Sequence, residues 1–152
     1  MKLAEALIMR ADVQKRIEQI RSRLGDVARI QEGDIPAENP ADLFAELDRA
    51  LKQFNLLIKQ INRTNSQTRF DDDRTITDAL ADRDTLMIQR TALQGVIRDA
   101  TGKQRRYGLS EIREQVTVDV GAIIQQVDAL SQQFRLLDTE IQRLNWLIDL
   151  IE

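Results

Sequence analysis

Eight polar residues of this 152-residue chain have both the type and the position to do chemistry together: Arg10, Asn62, Arg63, Asn65, Arg74, Thr75, Asp78 and Arg83. Arg10 and Arg83 interrupt apolar stripes, Asn62, Arg63 and Asn65 sit in a polar run, and Arg74, Thr75 and Asp78 lie where a new apolar rhythm begins. Guanidinium forks beside the open amides of a helix N-terminus suit an anion or a small ligand. The same residues also suit helix capping and an ion-pair network, with Asp78, Asp82 or Asp84 answering Arg10 or Arg83. Catalysis is the third reading.

The chain has no Cys and no His. Disulfides, thiolate nucleophiles, His/Cys zinc sites, His general bases and the Glu-x-x-His pairs of di-iron bundles are therefore excluded. Asp71-Asp72-Asp73-Arg74-Thr75 invites a calcium reading, but the position that needs Gly in an EF-hand loop is Ile76, and Asp82 closes it in place of Glu. That pattern is read as a solvated acidic turn. Lys103-Gln104-Arg105-Arg106-Tyr107 is the best basic patch, yet the net charge is −3, which argues against a nucleic-acid partner. There is no Gly-rich phosphate loop. No metal or cofactor is expected, and no enzymatic activity.

These residues are carried by a pattern of long helices. Charged residues make up 31% and aromatics 4%, with six Gly and two Pro, a helix-rich mixture. From Asp119 to Glu152, Val120, Ile123, Val127, Leu130, Phe134, Leu137, Ile141, Leu144, Ile148 and Ile151 recur in steps of three and four. That is the rhythm of a helix lying along others in near-coiled-coil packing. The expected helices are about 2–30, 40–65, 76–104 and 119–151. Leu3, Ala6, Val13, Ile17, Ile20, Leu24 and Val27 line the first; Leu43, Leu47, Leu51, Phe54, Leu57/Ile58 and Ile61 line the second. Leu80, Arg83, Leu86/Met87, Arg90, Leu93, Ile97 and Ala100 line the third. Asn39 before Pro40, Thr75 or Thr77, and Asp119 are the caps. Ser110 to Val118 is weakly alternating and β-branched, an irregular link or a short β-arm.

The expected fold is all-α: a single-domain, antiparallel up-down-up-down four-helix bundle with long coiled-coil-like helices. This topology brings both termini and the link between helices two and three to one end, where the eight polar residues gather with Asn145 and Trp146. Leu7 and Ile8 in the first helix, and Trp146, Leu147 and Leu150 in the last, fall off their stripes. A helix apolar all round must be covered on both faces, so these five are the expected self-association interface.

Several runs also resemble a family of small bacterial helical proteins often labelled septicolysin. They are Met1 to Asp12, Ile61-Asn62-Arg63-Thr64-Asn65, Arg74-Thr75-Ile76-Thr77-Asp78-Ala79-Leu80 and Leu144-Asn145-Trp146; the likeness spans essentially the whole chain. The family has no established biochemical role. Its label implies a thiol-activated cytolysin, a large, mostly β toxin with Cys in a Trp-rich segment, and a chain with one Trp and no Cys argues against that reading. The expectation is a cytoplasmic, non-enzymatic interaction or scaffold protein forming a dimer or higher homo-oligomer, without membrane or nucleic-acid partners. The alternatives are a ligand-binding or catalytic protein using the polar cluster, and a membrane-active one.

Overall fold

The computed structural model describes residues 1–102 and 114–152. The basic patch 103–107, the expected end of the third helix at 104 and the first part of the 110–118 link lie outside them. Four helices account for the described chain: α1 (Leu3–Val27), α2 (Pro40–Gln67), α3 (Ile76–Thr101) and α4 (Val120–Leu147). No strand occurs among the described residues, only isolated bridges. The all-α class is as expected. Each consecutive pair, α1 with α2 and α3 with α4, packs closely.

Local chemistry sets the starts. The Glu5 carboxylate accepts the Lys2 amide at 2.7 Å, Asn39 Oδ1 accepts the Ala41 amide at 3.0 Å, and Asp119 Oδ1 accepts the Ala122 amide at 3.0 Å. Each satisfies an amide that has no partner within its own helix. α3 opens at Ile76, which puts Thr75 rather than Thr77 at the cap position. The first helix stops at Val27, short of Ile30, where the Ala28 amide turns back to the Gly25 carbonyl. Gly33, at φ 92°, then takes a left-handed turn that a side chain would disfavour.

The chain divides into two compact units, Met1–Thr77 with Gln142–Glu152, and Asp78–Ile141. In the first, α1 and α2 form an antiparallel hairpin. Leu3, Ala6, Val13, Ile20 and Val27 are buried on α1, and Leu43, Ala50, Leu57, Ile61 and Thr64 on α2. The α2 seam therefore runs through Ala50, and Leu51 is a correction: expected inside, it is exposed. One residue is about 100° of helix, enough to turn Leu51 onto the flank. On one side of the hairpin Arg16 meets Glu46 at 3.1 Å, while Arg23 meets Glu46 at 3.5 Å and also bonds Glu38. The Arg23 bond holds Glu38 below the usual carboxylate range.

The last helix also differs from expectation. It ends at Leu147, and residues 148–152 run on as a tail rather than continuing to 151. The reason is long-range. The Leu3 amide, unpaired within α1, donates to the Ile148 carbonyl at 2.9 Å, and the Leu150 amide donates to the Met1 carbonyl at 2.9 Å. Lys2 completes the clasp, bonding the Leu147 carbonyl at 2.9 Å and Asp149 at 2.8 Å. The Lys2 ammonium lowers the Asp149 pKa.

In the second unit α3 and α4 run antiparallel. Ala79, Leu130 and Ile141 are buried, and Leu80, Leu86, Leu93, Ile97, Ile123, Val127, Phe134 and Leu137 are half-buried, as their rhythm requires. Arg83 and Arg90 do lie on this seam. Arg83 reaches Asp138 at 3.1 Å, and the Arg90 guanidinium lies over the Phe134 ring, 5.5 Å from its centre. Residues 114–118 form no regular element.

Candidate functional site

In the first unit the end of α2, the loop that follows it, the start of α1 and the C-terminal tail come together. Thr64 anchors it. Its side chain occupies the seam position three residues after Ile61 and is fully buried, at 0% exposure. The hydroxyl donates to the Gln60 carbonyl at 2.8 Å and accepts the Ile151 amide at 2.9 Å. Next to it in sequence, Arg63 bonds the Glu152 carbonyl. Asn62 is exposed and Asn65 half-buried.

The loop after α2 folds on Asp71. One carboxylate oxygen accepts the amides of Asp73 at 3.1 Å and Arg74 at 2.8 Å; the other accepts Arg74 Nε at 2.9 Å and Nη2 at 2.6 Å. The side-chain bond from Arg74, helped by these amides, lowers the Asp71 pKa. Arg74 also lies over the Phe70 ring, 5.0 Å from its centre. The Phe70 amide donates to the Arg74 carbonyl at 2.8 Å, and the Ile76 amide to the Thr68 carbonyl at 3.0 Å, closing the loop. Asp71 is thus the brace of a turn whose two oxygens are already engaged. Among the described residues, no group of three or more His, Cys, Asp or Glu is placed to hold a metal ion.

Of the eight candidate residues, Arg10, Asn62, Arg63, Asn65, Arg74 and Thr75 fall in the first unit, and Asp78 and Arg83 in the second. Arg10 is half-buried on the α1 seam. Arg83 pairs with Asp84 at 3.0 Å and with Asp138 at 3.1 Å. Burial works against its charge, but the two carboxylates outweigh it and raise its pKa. Asp84 was among the partners expected from sequence; Asp138, 55 positions away, was not. The buried, bridging role of Thr64 and the Lys2–Asp149 pair also escape a sequence reading. Thr64 carries one local signal, its place in the α2 seam, whereas nothing local marks Lys2 and Asp149 as partners.

The five interface candidates separate by burial. Leu7 and Leu150 are half-buried within the chain, while Ile8, Trp146 and Leu147 are 52%, 56% and 57% exposed. In the second unit an open hollow of about 490 Å³ lies between Val96–Gly102 and Glu114–Val118. Among the described residues, no helix is long and apolar enough to cross a membrane.

With this geometry in place, comparison with known proteins gives two matches. The model of the Family of unknown function (DUF6847) matches residues 10–150. A crystal structure of a functionally unknown conserved protein from Corynebacterium diphtheriae superposes with a TM-score of 0.93 at 42% identity, covering 99% of each chain. No curated protein matches.

Proposed function

The chain belongs to this family of unknown function, and from that premise we propose that it is a cytoplasmic, non-enzymatic protein that self-associates and acts as an interaction or scaffold element. The supporting observation is its surface. Ile8, Trp146 and Leu147 contribute to that surface near the clasped termini. Covering them with a second copy removes large apolar side chains from water, which drives most protein association. Light scattering at tens of micromolar tests the reading. A homo-oligomer is the expected result, and Trp146→Asp reduces its mass; a strictly monomeric wild-type protein overturns it.

A second reading has one observation in its favour. Arg10 is half-buried on the α1 seam, and no hydrogen bond or ion pair of its side chain occurs among the described residues. An anion brought to it would find a partly desolvated cation. In a thermal-shift screen of anions and metabolites, a compound that raises the melting temperature of the wild type but not of Arg10→Ala supports a binding role. The membrane-active reading attached to the septicolysin label predicts dye release from liposomes, and intact liposomes remove it.

A further inference from the structure

We propose that residues 148–152 are a strap with two states. Clasped, as in this structure, they run extended against residues 1–3; released, they wind on as the last turn of α4 and join Leu150 to the exposed Trp146 and Leu147. The two states stand on their own observations, and their effect on association rests on the reading that this patch pairs two copies.

Nothing local stops α4 at Leu147. No Gly or Pro occurs between Asn145 and Glu152, and Leu144, Ile148 and Ile151 continue the stripe of Ile141. Helical bonding even reaches past the end, with the Ile148 amide on the Leu144 carbonyl at 3.0 Å. The chain turns away there because the clasp offers other partners, and every one of them lies in the same compact unit.

Those partners hold the strap loosely. In a continued helix the Leu150 amide bonds the Trp146 carbonyl and the Ile151 amide the Leu147 carbonyl, so release leaves neither donor unpaired. Thr64 gives up the Ile151 amide but keeps its own bond to Gln60. The Lys2–Asp149 pair is exposed on both sides, at 40% and 76%, where an ion pair contributes little. Leu150 is what distinguishes the two states at the surface. Clasped, it is half-buried; in the helix it falls four residues after Trp146 and three after Leu147, on one face with both. Release thus widens the apolar patch that a second copy covers.

Cysteine supplies a lock, since the chain has none of its own. Lys2 and Asp149 face each other between the Leu3–Ile148 and Leu150–Met1 bonds. In an antiparallel pair that position sets the Cα atoms about 4.5 Å apart, within reach of a disulfide. Oxidised Lys2→Cys/Asp149→Cys should therefore close within one chain and hold the strap clasped. The carbon chemical shifts of residues 149–151 should be extended in the oxidised form and move to helical values on reduction; extended or coil values after reduction overturn the second state. In the wild type the Leu150 and Ile151 amides should exchange with solvent well before the Ile61 amide, through a local opening, and exchange in step with Ile61 counts against the strap. Light scattering reads the coupling. The oxidised variant should have the mass of a single chain and the reduced variant that of the wild-type oligomer. An oxidised form that keeps the oligomer mass ends the coupling while self-association stands. A monomeric wild type overturns self-association, and the shifts still decide the strap.

Discussion

The Ile151 amide donates to the Thr64 hydroxyl at 2.9 Å, joining residues 87 positions apart, and the same hydroxyl donates to the Gln60 carbonyl at 2.8 Å. Because Thr64 is fully buried, the bond is made out of reach of water, where an unsatisfied partner is costly. Thr64→Val keeps the shape and removes the acceptor. It should lower stability by about 1–2 kcal/mol, read as a lower urea midpoint at unchanged slope. An unchanged midpoint would mean that the tail does not depend on this bond.

Arg83 bridges α3 to Asp138 on α4 and also pairs with its neighbour Asp84. Asp138 is the less exposed carboxylate, at 34% against 65% for Asp84. Asp138→Ala should therefore cost more than Asp84→Ala, on the order of 1 kcal/mol against a few tenths. Denaturation at low and high salt checks this, with the gap narrowing as salt screens the pair.

Arg90 leaves its buried Nε without a hydrogen-bond partner, while its Nη2 rests 3.4 Å from Met87 Sδ. A seam position filled by an unsatisfied cation is a place where an apolar residue does better. Arg90→Met should raise stability by about 1 kcal/mol despite losing the Phe134 ring contact. A fall in melting temperature would show that the ring contact outweighs the unpaired nitrogen.

Acid should act through the carboxylates whose pKa values are depressed: Glu38 by Arg23, Asp71 by Arg74 and Asp149 by Lys2. A depressed pKa stabilises the fold above the ordinary value, 4.5 for Glu and 3.8 for Asp, and that stability disappears as pH falls through the lowered value. With no His in the chain, side-chain titration contributes little between about pH 5.5 and 8. A melting profile that is flat across that range and drops below about pH 4 is expected. A step near pH 6.5 would contradict it.

Where sequence and structure agree, the information is local. Asn39, Asp119 and the three-four rhythm of Val127, Leu130, Phe134, Leu137 and Ile141 act within one or two helical turns, and each behaves as its spacing demands. Arg83 and Arg90 on the α3 seam were legible for the same reason. Where they differ, the deciding partner is distant in sequence. Ile148 and Ile151 keep the apolar rhythm of α4 and are half-buried, yet they leave the helix, because the Leu3 amide and the Thr64 hydroxyl offer bonds that periodicity cannot register.

The sequence by itself determined four helices, the caps Asn39 and Asp119, most of the buried stripes and the absence of Cys and His chemistry, since all of these follow from residue type and spacing over a few turns. Only the tertiary structure decided that Ala50 rather than Leu51 faces α1, that Asp138 joins Asp84 in answering Arg83, and that Lys2 and Thr64 hold the C-terminal tail. Each of those choices is a pairing between residues far apart in the chain, and a pairing depends on how two elements are rotated against each other, which no single stretch of sequence contains.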